Sequence, residues 1–186
     1  MTHHNSPDFS DDAPVATSKR AKGNRELLAT SVTINRPVSE VFDAFRDFAQ
    51  FPSFMENVER IDILDPKRSR WVVKGPGGAE VSWLARITEE IENESLTWQS
   101  EEGADVANSG RVTFRDAGAR GTVVTAMIAY APPGGVVGKL IAKLFQREPS
   151  VQTRRDLARF RQRLETGEIA TAARNRAIFA AEVESN

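Results

Sequence analysis

The spacing of apolar residues changes along this chain, and the changes divide it into elements. From Glu26 to Ile34 a loose alternation running into Val32 and Ile34 predicts a first strand. Beyond Asn35-Arg36-Pro37, apolar residues fall at Val41, Phe42, Phe45 and Phe48, the spacing of one helix face, with Pro37 at an early helical position. Phe51-Pro52-Ser53-Phe54-Met55 breaks that helix and predicts a second short helix or turn. From Val58 the period becomes two. Ile61 and Ile63, then Trp71 and Val73, then Val81, Trp83, Ala85 and Ile87 alternate with polar or charged neighbours. Leu96 and Trp98, Val112 and Phe114, and finally Val124, Ala126, Ile128 and Tyr130 continue the series. Gly, Pro, Asp or Asn separates successive runs, so the pattern predicts six strands in an antiparallel meander with one face wet.

Helical spacing then returns. Pro132-Pro133-Gly134-Gly135 stops the sheet, and Val137, Leu140, Ile141, Leu144 and Phe145 mark one face of a short amphipathic helix. Pro149 starts a further helix, because a proline inside one would lose a hydrogen bond and clash one turn back. Leu157, Phe160 and Leu164 form the apolar stripe of that helix, about 16 residues and roughly 24 Å long. Its other faces carry Arg154, Arg155, Arg159, Arg161 and Arg163, and Gly167 is its expected stop. The polar segment 1–24 reads as a disordered tail, 25–166 as one domain, and 167–186 as a flexible or partly helical tail.

Composition narrows the chemistry. With 186 residues, the chain can bury a core without a covalent staple. It has no cysteine, which excludes disulfides, thiolate metal sites and a cysteine nucleophile. Its two histidines, His3 and His4, both fall in the first tail, so acid–base work in the domain would fall to Asp, Glu, Tyr or Arg. No inward-facing strand position carries a carboxylate, and no acidic spacing predicts a metal, so no cofactor is expected. The formal net charge of −1 gives no field for nucleic acid, and the arginine face of the last helix reads as solvated. Gly75-Pro76-Gly77-Gly78 and the later proline-glycine run lack the lysine and helix of a phosphate loop and read as turns. Without a signal segment or an apolar span, the expected location is the cytoplasm.

A curved sheet with one apolar face needs a cover, and one long helix cannot fill its concavity. The expected architecture is therefore α+β: about seven antiparallel strands wrapped around a long C-terminal helix, with two short helices after the first strand. Several segments carry a resemblance to a known family. They are Pro37-Val38-Ser39-Glu40-Val41-Phe42, Phe51-Pro52-Ser53-Phe54-Met55, Val81-Ser82-Trp83-Leu84-Ala85-Arg86-Ile87 and Trp98-Gln99-Ser100. Gly110-Arg111-Val112-Thr113-Phe114, Tyr130-Ala131-Pro132-Pro133-Gly134-Gly135 and Asp156-Leu157-Ala158-Arg159-Phe160 complete the set. Over about residues 25–170 the chain resembles the START-like, helix-grip (SRPBCC) superfamily, in its polyketide cyclase/dehydrase and coenzyme Q-binding START branch. The resemblance implies the helix-grip fold and a role among aromatase/cyclases and carriers of lipids or quinones.

The residues expected to line an internal cavity are Trp71, Val81, Trp83, Trp98, Phe114, Ile128, Tyr130, Leu157 and Phe160. Tyr130, the sole tyrosine, is the candidate polar group, with a hydroxyl able to orient a ligand oxygen. No catalytic residue is otherwise singled out. The expected function is binding or transport of a hydrophobic small molecule: a lipid, an isoprenoid quinone or a polyketide-like aromatic. Cyclisation or dehydration of a polyketide-like substrate by positioning is the alternative. A third reading is a protein-interaction module with a filled core. Helix 136–146, with Lys139 and Lys143, reads as a lid on the sheet or as a transient membrane contact. Oligomeric state is left open.

Overall fold

A computed structural model describes residues 17–21, 25–74, 80–131 and 149–168. Strands β1 (Thr17–Ala21) and β2 (Arg25–Ile34) lead to helix α1 (Val38–Arg46). Pro37 stands immediately before α1 with φ −57° and ψ 149°, one position earlier than the sequence predicts. Glu40 in the first turn and Arg46 in the last both suit the helix dipole. Val41, Phe42 and Phe45 form the buried face. A 3-10 helix (Phe48–Ser53) follows, and its three residues per turn bring Phe48, Phe51 and the adjoining Phe54 to one buried side.

The meander is then β3 (Val58–Asp65), β4 (Arg68–Lys74), β5 (Glu80–Ile91), β6 (Ser95–Ser100), β7 (Ala107–Asp116) and β8 (Thr122–Ala131). Its turns use the predicted chemistry. Asp65 Oδ1 accepts from the main-chain N–H groups of Lys67 and Arg68, both at 2.8 Å, and Asp116 Oδ1 accepts from Gly118 N at 2.8 Å. Gly121 is irreplaceable for a different reason. At φ 87° its missing side chain admits the main chain of Ile34, whose carbonyl oxygen would lie 2.2 Å from a Cβ there.

Every pairing is antiparallel, in the order β1-β2-β8-β7-β6-β5-β4-β3. The first long strand thus closes beside the last. This sheet of eight strands has one more than the sequence predicts. The extra strand is β1, which lies inside the segment expected to be a disordered tail. Its residues pair through main-chain hydrogen bonds to β2, which require no apolar side chains, so composition gave no sign of it.

Helix α2 (Pro149–Thr166) packs against β2. Gly167, at φ 73°, donates its N–H to Arg163 O at 2.8 Å and ends the helix where the sequence predicts. Glu165 ties that end to the strand–helix junction, accepting from Asn35 N at 2.8 Å and, through its carbonyl, from Arg36 at 2.9 Å. The fold is the α+β helix-grip fold expected from the sequence. Ile63 departs from the expected stripe: it is 52% exposed, at the end of β3 just before the β3–β4 register shifts. The expected helix at 136–146 and the tails 1–16 and 169–186 lie outside the described residues. No helix among the described residues is long and apolar enough to cross a membrane.

Candidate functional site

Cross-strand register assembles the inner face of the sheet. Trp71 pairs with Trp83, Trp98 with Ile87 and with Gly110, and Gly110 with Ile128. Ile128 pairs with Leu28, and Asn108 with Tyr130. Because every pair in an antiparallel ladder shares a face, one stripe crosses the whole sheet.

Phenylalanines close one end of this concavity. Phe45 meets Phe51, Phe114 and Phe160 at centroid distances of 5.1, 5.6 and 5.7 Å, all edge-to-face, and Phe42 meets Phe114 at 5.3 Å. Phe160 is 1% exposed. Toward the other end the side chains part around a hollow of about 220 Å3. That is far more than the ~10–15 Å3 that one water requires. It falls a little short of the roughly 300 Å3 at which sites for drug-sized ligands begin.

Trp71, Val81, Trp83, Trp98, Ile128, Tyr130 and Leu157 all line the hollow. Phe114 and Phe160 do not. Phe45 stands between them and the open space, so they belong to the packed floor beneath it. Trp71 and Trp83 lie nearly parallel, 6.0 Å apart, and form a flat aromatic wall. The indole N–H of Trp71 donates to Ser69 Oγ at 3.0 Å, which holds the ring in place. Tyr130, facing inward as its strand parity predicts, is 7% exposed.

Asp156 is the functional group that sequence reasoning missed. It comes from α2, not from a strand, so strand parity does not lead to it. Asp156 is one residue before Leu157 and four before Phe160, on the edge of the buried stripe, and it is only 7% exposed. Its Oδ1 accepts from Gln152 Nε2 at 2.9 Å. Burial pushes its carboxyl up from an ordinary 3.8 to about 7, against partial relief from Gln152, the charge of Arg159 and the Glu56 main chain. Asn57, Asn108, Gln152 and Thr153 bring further polar atoms to the same hollow. Among the described residues no acidic or histidine cluster could hold a metal ion.

These features define a helix-grip domain with an apolar hollow and a small set of convergent polar groups. The family model described as "Polyketide cyclase / dehydrase and lipid transport" matches residues 34–158, and the chain belongs to that family. It is similar to an uncharacterized 17.2 kDa protein of Streptomyces lincolnensis, 31% identical over 136 residues that make up 73% of this chain and 87% of the relative. The crystal structure of DR_A0006 from Deinococcus radiodurans is 36% identical, with a TM-score of 0.61 over 76% of this chain and 99% of that one. The Zhui aromatase/cyclase from Streptomyces sp. R1128 shares the fold with a TM-score of 0.61 at 15% identity, covering 78% of this chain and 99% of its own. A START-superfamily structure shares it as well.

Proposed function

We propose that this domain binds a hydrophobic small molecule, a lipid, quinone or polyketide-like aromatic, inside the hollow and carries it in the cytoplasm. The observation that carries this reading is that all three tryptophans of the chain line one apolar space that the described residues leave unfilled. An interaction module with a filled core needs no such space. Organic extraction of the purified protein followed by mass spectrometry tests the proposal. A reproducible apolar ligand, depleted when Trp83→Ala is purified in parallel, is the expected result. Extracts indistinguishable from those of an unrelated protein would count against it.

A cyclase or dehydratase is the second reading, and Asp156 favours it. A carboxyl that exchanges its proton near neutral pH inside an apolar hollow is suited to general acid or base work. Proteins described as aromatase/cyclases share the fold. If Asp156→Asn and Tyr130→Phe leave the turnover of linear polyketide-like substrates unchanged, this second reading fails and the carrier reading stands.

A further inference from the structure

Polar atoms are unevenly placed around the hollow. The Glu165 contacts put the end of α2 beside Asn35, so its first turns run back along β2 toward the end where Leu28 pairs with Ile128. Gln152 and Asp156, on those first turns, therefore lie at the same end as Asn108 and Tyr130, which pair across β7 and β8. The opposite end is the phenylalanine floor. The space has a polar end and an aromatic end.

Charge at the polar end is one-sided. Among the described residues no lysine, arginine or histidine lines this hollow. Arg159 and Arg155 of that part of α2 turn outward to Glu56, at 3.3 and 3.9 Å. An anionic head brought here would lose its hydration without a counter-charge and would face a second carboxyl, that of Asp156. A cationic head would lose its hydration on entry and could pair with Asp156 only by displacing the Gln152 amide already bonded to it. An uncharged oxygen group meets no such penalty. The Gln152 amide and the Asp156 carboxyl, joined at 2.9 Å, offer it both donor and acceptor atoms.

We propose that the buried head of the ligand is an uncharged oxygen group (hydroxyl, phenol or ketone) seated by Gln152, Asp156 and Asn108, and that lipids headed by a carboxylate are rejected. The inference rests on the hollow being a binding site. Dodecanol, dodecanoate and dodecylamine, which share one chain, separate the two claims when titrated at mildly alkaline pH and followed by tryptophan emission. Dodecanol should bind at least about tenfold more tightly than either charged partner, a gap of about 1.4 kcal/mol. In Asp156→Asn the penalty on dodecanoate relative to dodecanol should shrink. A smaller gap in the native protein, or dodecylamine binding best, overturns the head-group assignment and leaves the hollow as a site. A penalty undiminished in Asp156→Asn overturns the part given to Asp156. Binding of none of the three removes both claims.

Discussion

Trp98 and Gly110 face each other across β6 and β7, and the indole occupies the place where a side chain on residue 110 would begin. A Cβ there would stand 2.2 Å from Trp98 Cζ2. The glycine lets the ring lie flat on the sheet, which keeps the hollow open above it. Gly110→Ala is expected to push the indole into that space, lowering stability by about 1–3 kcal/mol and weakening ligand binding together. Chemical denaturation and ligand titration check this. A variant with native affinity would show that the hollow does not depend on the glycine.

Asp156 gives the fold a specific pH dependence. The unfolded carboxyl releases its proton near 3.8 and the folded one near 7, so between those values the folded state holds more protons. Its stabilising contribution is complete below 3.8 and is lost as pH rises through about 7, by up to about 1.4 kcal/mol per pH unit from this group alone. Asp156→Asn should flatten that fall. Denaturant midpoints at about pH 5 and about pH 8 measure it. An identical decline in both proteins would place the titrating group elsewhere.

Thr30 lies on the inner face, paired with Ala126, and is 3% exposed, yet its hydroxyl finds no partner among the described residues. Valine has nearly the same shape and no hydroxyl to desolvate. Thr30→Val is expected to raise stability by about 1 kcal/mol, read as a higher denaturation midpoint. A lower midpoint would mean that the hydroxyl is satisfied in solution.

Phe160 and Trp83 should respond in opposite ways. Phe160→Ala removes a ring packed against Phe45 and Phe54 and should cost about 3–5 kcal/mol of stability. Half-buried Trp83 borders open space, so Trp83→Ala should cost less stability and more affinity. Paired denaturation and binding curves decide it. Equal effects of the two variants on both quantities would erase the distinction between floor and lining.

Much of the fold was legible because period two and period 3.6 are set by backbone geometry. The inner stripe from Trp71 to Tyr130 and the Leu157–Phe160 helix face follow from spacing alone. What was not legible depends on three-dimensional neighbours. Phe114 has the right parity for lining, but Phe45 arrives from α1 and covers it. Asn108 was missed because β7 begins at Ala107, earlier than its apolar residues reveal. Counting back by two from Phe114 through Val112 and Gly110 reaches it. Asp156 was overlooked because the search for an acid followed strand parity. The four-residue spacing to Phe160 was the available signal.

The function of this domain turns on whether the space beside the three tryptophans admits an uncharged apolar guest. Titration with aminoanthracene, an uncharged fluorescent dye, measures this through energy transfer from Trp71, Trp83 and Trp98. Saturable transfer to one dye per chain, reversed by dodecanol, is the predicted result. Tryptophan emission untouched by the dye at every concentration would contradict it.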